Sequence, residues 1–269
     1  MLRSRTPTAL EVARNQQPVF ASVFILRGVT MAQGSALRAV TFDFWGTLVD
    51  SRYSRTAERV AYLHSRLEGY TQERVLDAYR QSEASGSQID ALGFSLGVPA
   101  RVSLALDILG TALRPEGLAA TVRFWEETML DDPPQVLEGV PETLGTLRGR
   151  GLALAIISDT GFSPGRVLRQ ILAMRGILGL FDHLTFSNET GVTKRRPQAF
   201  TSTLAALGAA PGEALHVGDL PTTDIRGAHA VGMRTALLLQ NNPHPEGIPL
   251  ADLVLNHIRE LPEALASLE

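Results

Sequence analysis

Five polar residues, Asp43, Ser158, Lys194, Asp219 and Asp224, stand at comparable places along this chain, at the end of short apolar runs or just ahead of helical ones. The stretch Val40-Thr41-Phe42-Asp43-Phe44-Trp45-Gly46-Thr47-Leu48 reads as a strand that ends on a carboxylate, with a glycine turn and a threonine at once behind it. Ile156-Ile157-Ser158-Asp159 places a hydroxyl after a second apolar run. Gly191-Val192-Thr193-Lys194 brings the only lysine of the chain ahead of a helix, and His216-Val217-Gly218-Asp219 ends a further strand on an acid, with Asp224 close behind. Carboxylates with one lysine suit a phosphoryl group and magnesium, which takes hard oxygen ligands and keeps several waters. Lysine and the metal neutralise charge on the transferring group. An aspartate in that setting can attack phosphorus and carry the phosphoryl group covalently.

For these groups to meet, the chain must bring several strand ends to one edge. The pattern permits it. Arg38 to Phe44 is strand-like, and from residue 133 onward helical and strand runs alternate, with strands expected at Leu152 to Ser158, His183 to Phe186, Ala214 to Val217, Thr235 to Leu239 and Leu253 to Leu255. Strands alternating with helices imply an α/β fold, a parallel sheet covered on both faces. In such a sheet the carboxyl ends of the strands share one edge, where ligands bind. Residues 51–132 interrupt the alternation as an all-helical insert. Its expected helices are Tyr53 to Tyr70, one capped by Thr71 and broken at Ser85-Gly86-Ser87, one opening at Pro99, and one opening at Pro115. A helix is also expected over Asp224 to Val231, with Asp224 as a candidate cap, and a last one over Leu261 to Leu268.

Composition narrows the function classes. The 269 residues contain no cysteine, which removes disulfides, thiolate chemistry and cysteine-built zinc sites. A formal net charge of −3 gives no ground for nucleic acid or anionic membrane as partner. No apolar run is long enough to span a bilayer, and the expected location is the cytoplasm. Residues 1–37 lack a clear period and read as a disordered extension, or one from an upstream start codon, ahead of the first strand.

Taken together, these motifs resemble the haloacid dehalogenase superfamily of hydrolases. The resemblance runs from Arg38 to the C-terminus and rests on Asp43-Phe44-Trp45-Gly46-Thr47, Ser158, Lys194 and Gly218-Asp219…Asp224, in that order. It implies a Rossmann-like core, residues 38–50 and 133–269, with residues 51–132 as a helical cap. By that resemblance Asp43 is the nucleophile and a magnesium ligand, Ser158 holds phosphoryl oxygens, and Lys194 orients Asp43 and balances substrate charge. Asp219 binds magnesium directly, Asp224 supports it, and the carbonyl of Trp45 is the backbone ligand. Thr47 and Asp159 complete the candidate substrate site, with Asp159 read on its own residue type as facing away or capping a turn. The substrate is a small phosphorylated molecule, and the protein a monomer or homodimer.

One position departs from the family pattern. Most phosphatases of the family carry a second aspartate two residues after the nucleophile, where this chain has Trp45. Indole offers only a donor N–H, and loss of a positioned general acid/base typically costs ~10²–10⁴ in rate. Three readings follow: a magnesium-dependent phosphatase with a good leaving group or another proton carrier, for which His64 is a candidate; a 2-haloacid dehalogenase, against which Asp219 and Asp224 count; or a phosphate- or partner-binding protein without turnover. Phosphonate cleavage by a cap lysine is excluded, since the cap has none. Arg195 and Arg196 read as solvated, and Phe44 and Trp45 as packing between core and cap.

Overall fold

The computed structural model describes residues 36–267. Six parallel strands form one sheet in the order β3-β2-β1-β4-β5-β6, with β1 Ala39–Phe42, β2 Ala153–Ser158, β3 His183–Phe186, β4 Ala214–Gly218, β5 Arg234–Leu238 and β6 Leu253–Leu255. The expected α/β class and parallel sheet are therefore present. β1 lies at the point where strand order reverses, between β2 and β4. Open α/β sheets leave a crevice at that place. Phe42 pairs with Ile156 on one side and Val217 on the other. Asp43 extends the ladder by one more bond, its N–H donating to the Val217 carbonyl at 2.9 Å. The next residues of the flanking strands bring Ser158 and Asp219 to the same edge.

Every residue of β1 is buried, so both faces of the strand are covered. Val40 and Phe42 pack on one side with residues of α5 (Val140–Gly149) and α6 (Gly165–Met174), among them Leu144, Leu147, Leu168 and Ile171. Ala39 points the other way, into a cluster with Phe200 and Leu204 of α8 (Pro197–Leu207) and Ala228 of α9 (Arg226–Ala230). The two-residue period of a strand produces this division. The remaining short helices are α7, Ser187–Thr190, and α10, Leu261–Ala264.

Between β1 and α5 stand four helices, α1 Thr56–His64, α2 Gln72–Ala91, α3 Val98–Leu109 and α4 Pro115–Glu127. They enclose a core of their own, with Leu63, Tyr79, Val102, Leu106 and Trp125 at its centre. Thr71 caps α2, accepting from the Arg74 N–H at 3.3 Å. The expected break at Ser85-Gly86-Ser87 is absent, and α2 runs through it. The hydroxyls of Ser85 and Ser87 turn back onto the carbonyls four residues earlier, at 2.9 and 3.1 Å. Gly86 serves close packing instead, because a Cβ there would lie 1.8 Å from Nη1 of Arg101. The first helix is shorter than the apolar spacing implied. The last helical segment is a single α-turn followed by a tighter turn at Leu265–Ser267.

The helical block grips the core at places distant from its two chain connections. Phe162, from the loop after β2, stacks on Tyr79 at 5.1 Å and meets Trp125 edge-on at 5.6 Å. On the loop before α8, the Thr193 N–H donates to the Gly93 carbonyl and the Ser95 N–H to the Gly191 carbonyl, both at 3.1 Å. Arg196 is no solvated charge: it donates to the Leu92 carbonyl at 3.0 Å, and its guanidinium lies 4.5 Å from the Phe94 ring centre. The expected extension at residues 1–37 lies almost wholly outside the described residues.

Candidate active site

At the carboxyl edge of the sheet, Asp43, Asp219 and Asp224 each offer a carboxylate oxygen within 4.8 Å of the others. All three are buried, and so is Lys194. The Lys194 ammonium donates to Oδ1 of Asp43 and to Oδ1 of Asp224, each at 2.5 Å. Four of the five polar residues singled out by type and spacing therefore converge. Ser158 ends β2, buried at the same edge, and the hydroxyl reaches only the neighbouring Asp159 carbonyl, at 3.4 Å.

Local structure explains the convergence. Gly46 takes φ +77°, which lets the chain turn sharply after Asp43. A Cβ at Gly46 would lie 2.4 Å from Oδ2 of Asp219, so glycine is also required by the approach of the two loops. Asp224 is no helix cap. It sits inside a wide π-type turn, Pro221–Ile225, and its Oδ2 accepts the Leu220 N–H at 2.9 Å. Lys194 is positioned from behind, its own N–H donating to Oδ1 of Asp159 at 2.9 Å. Asp159 thus fixes the lysine loop, and it also lines the cleft described below.

Two partners were not legible from motif spacing. His216, wholly buried on β4, accepts or donates at 2.8 Å to Thr41 Oγ1 through Nδ1 and at 3.1 Å to Asp224 Oδ1 through Nε2. A carboxylate only accepts, so Nε2 carries the proton and Nδ1 receives the Thr41 hydroxyl. The signal was an imidazole between Leu215 and Val217 in a fully buried strand, where a polar group needs partners. Asn242, in the loop after β5, donates to Oδ2 of Asp219 at 2.9 Å. No sequence signal marked it.

The charges are out of balance, since four carboxylates surround one ammonium. Burial pushes Asp43 well above the usual carboxylate range, against the pull of Lys194. Burial, with Asp224 adding to it, pushes Asp219 up to about 6. Burial works against the Lys194 charge too, but Asp224, Asp43 and Asp159 outweigh it and hold its pKa high. Asp224 is likewise penalised by burial, yet Lys194 and His216 hold it below the ordinary value. Oδ1 of Asp219 is buried without a hydrogen-bond partner, as are the hydroxyls of Thr47 and Thr223. An orphaned carboxylate oxygen inside an all-oxygen acidic cluster fits a hard divalent cation.

A cleft of about 280 Å³ opens between core and helical block, lined from the core by Trp45, Asp159 and Ser163 and from the block by Arg59, Tyr79 and Glu83. Trp45 is half-buried there, edge-on to the buried Phe44 at 4.9 Å. His64 is not among the lining residues; it bonds the Tyr70 carbonyl at 3.0 Å, which removes it as the proton carrier considered above. A larger hollow of about 680 Å³ on the helical block carries none of the candidate residues.

Residues 37–232 match the model of the haloacid dehalogenase-like hydrolases, which covers most of the described chain. The chain belongs to this family. Over 222 residues it is 30% identical to the mouse (Mus musculus) haloacid dehalogenase-like hydrolase domain-containing protein 3, covering 79% of this chain and 86% of the relative. It is also 30% identical over 207 residues to a glyceraldehyde 3-phosphate phosphatase of Methanopyrus kandleri, covering 74% and 82% of the two chains. In fold this haloacid dehalogenase-like hydrolase is similar to a solved 2-haloacid dehalogenase from Pseudomonas syringae pv. Tomato. That likeness has a TM-score of 0.63 and 20% identity, over 87% of this chain and all of the other. The protein is a hydrolase with phosphatases among its relatives. No helix among the described residues is long and apolar enough to cross a membrane.

Proposed function

We propose that this hydrolase is a magnesium-dependent phosphatase that transfers the phosphoryl group of a small phosphorylated metabolite to Asp43 and then to water. The observation that carries the reading is the clustering of Asp43, Asp219 and Asp224 around a buried ammonium. Three clustered carboxylates suit a hard divalent ion, which phosphoryl transfer uses to neutralise charge and halide displacement does not require.

Asp43, Asp219 and the carbonyl of Trp45 would hold the ion, with Asp224 oriented behind them by Lys194, His216 and the Leu220 N–H. When bound, magnesium neutralises phosphoryl oxygens and orients the transferring group. Lys194 occupies Oδ1 of Asp43, leaving Oδ2 as the attacking atom. Oδ2 forms the new bond to phosphorus while the ester oxygen departs with the electron pair of the broken bond. Ser158 and Thr47 bind the equatorial oxygens, and Thr47 has an uncommitted buried hydroxyl for the purpose. Trp45 supplies no proton, so the departing oxygen leaves as a weakly basic group or takes its proton from water in the cleft. Water then attacks phosphorus, releasing phosphate and restoring the Asp43 carboxylate. The four-helix block acts as the cap over this site, and the expected setting is the cytoplasm.

A panel of phosphomonoesters, acyl phosphates and 2-haloacids, assayed with magnesium and with chelator, tests the proposal. The expected outcome is phosphate release that needs magnesium and is abolished in Asp43→Asn. Halide release that persists in chelator would instead make the protein a dehalogenase. Full activity in Asp43→Asn would reject the nucleophile.

A further inference from the structure

Of the buried polar atoms outside the acidic cluster that lack a hydrogen-bond partner, two belong to residues that line the same cleft. Nη2 of Arg59 and Oγ of Ser163 have no hydrogen-bond partner. Arg59 is 4% exposed. It is held in place without being neutralised. Its Nε donates to the Trp125 carbonyl at 2.9 Å, and its guanidinium lies 4.7 Å from the centre of the Phe162 ring. Among the described residues no carboxylate comes within ion-pair distance of it. Glu58, next in sequence, is taken by Arg55 at 2.6 Å, and Glu83 is exposed. Burial works against its charge and outweighs the support of the Tyr79 hydroxyl beside it and, at longer range, of Glu58 and Glu83. A buried cation without a carboxylate in contact is costly to keep, and a packed core could use an apolar side chain of the same length. The cost is offset if an anion arrives from outside.

The opposite wall of the cleft says which anion. It carries Trp45 and Asp159, which flank the candidate nucleophile Asp43 and the candidate phosphoryl contact Ser158 in the chain. The cleft, lined by the chain neighbours of both residues, is the space into which a ligand held at Asp43 would extend, and Arg59 lines it. That space, about 280 Å³, suits a small molecule. The donors on offer are one guanidinium N–H edge and one hydroxyl, enough for the two oxygens of a carboxylate. Asp159 and Glu83 lie in the same cleft, so a singly charged group is tolerated there better than a second phosphate. We propose that Arg59, with Ser163, receives a carboxylate at the far end of the substrate, so that the preferred substrates are small phosphorylated carboxylic acids. This rests on the phosphatase reading above and adds the substrate class to it.

Matched substrates read the proposal directly. Phosphoglycolate and ethyl phosphate share a two-carbon skeleton and differ at the distal carbon, a carboxylate in one and a methyl group in the other. In the wild-type protein with magnesium, kcat/KM should favour the acid by about tenfold or more, as a site built to bond a polar group discriminates against its absence. In Arg59→Met that ratio should fall to within about twofold of one, chiefly through a higher KM for the acid. Arg59→Lys keeps charge but lacks the planar fork and should fall between. Circular dichroism verifies folding of each variant; if Arg59→Met does not fold, Arg59→Lys and Ser163→Ala carry the comparison. A wild-type ratio near one, or a ratio that these substitutions leave unchanged, overturns the carboxylate proposal and leaves the phosphatase intact. Preference for a bisphosphate over the acid also overturns it. If no phosphoester is hydrolysed at all, the phosphatase reading fails separately, and calorimetry with phosphonopropionate and propylphosphonate decides. Tighter binding of the acid by wild type, lost in Arg59→Met, supports the site; equal binding refutes it.

Discussion

Replacing Lys194 by methionine removes the one ammonium in the acidic cluster while keeping most of the side-chain volume. Its Nζ lies 2.5 Å from an oxygen of Asp43 and 2.5 Å from an oxygen of Asp224, and the side chain is 3% exposed. Breaking a buried pair by deleting one partner typically costs about 3–5 kcal/mol, because the other charge stays buried alone. Here two carboxylates are left, so the loss at neutral pH should reach the upper part of that range. In a domain of this size each kcal/mol moves the melting temperature by roughly 2–4 °C. The loss should depend on pH. In the wild type Asp224 is held below its ordinary value, so its contribution to stability is present above about pH 4 and lost as pH falls through the folded pKa. Without Lys194, burial and Asp43 raise it instead, and that contribution disappears. The gap between the two proteins is then widest at neutral pH and closes in acid. Urea unfolding in chelator, at about pH 7.5 and pH 5, measures it. Adding Asp224→Asn to Lys194→Met should recover part of the loss, a coupling that a double-mutant cycle isolates. A Lys194→Met protein within about 1 kcal/mol of wild type at neutral pH, with no coupling to Asp224, refutes the buried bridge.

Three other outcomes follow from the same geometry. Burial pulls His216 below its ordinary value, so the folded state resists its protonation; stability should be level above about pH 6.5 and decline as pH falls below it. His216→Gln should flatten that decline in thermal unfolding, and equal slopes would contradict a neutral buried imidazole. Gly46→Ala places a Cβ at φ +77° and 2.4 Å from Asp219 Oδ2. Backbone strain of about 1–3 kcal/mol and weaker magnesium binding by calorimetry are expected, and unaltered affinity would show that Asp219 is not a ligand. Trp45→Asp introduces a carboxyl into the cleft that Trp45 lines. It should raise turnover of alkyl phosphates by ~10²-fold or more, whereas no gain would mean that proton transfer does not limit the native enzyme.

Much of this architecture was readable because each strand of the sheet is a short apolar run and the polar residues sit at its end. Parallel topology then brings those ends to one edge without further information. What could not be read depends on contacts between distant residues. Ser85-Gly86-Ser87 resembles a helix breaker until Arg101 is seen against Gly86. Arg196 looks solvated until Phe94, a hundred residues earlier, is placed under it. Asp224 fits a helix cap by spacing, and only the wide turn at Pro221–Ile225 directs it back toward Lys194. Asn242 reaches Asp219 from a loop after β5 with no motif to announce it. Arg59 falls on the helical spacing of α1 like any amphipathic residue, and its unpaired nitrogen is visible only once the cleft is formed.

The central claim is that Asp43 carries the phosphoryl group between substrate and water. Single-turnover reaction with phosphoryl-labelled substrate and magnesium, quenched in acid and mapped by peptide mass, examines it most directly. The label should appear transiently on the peptide containing Asp43, be released by mild alkali as an acyl phosphate, and be absent in Asp43→Asn. Turnover with no covalent label, or with label on another residue, would contradict the mechanism.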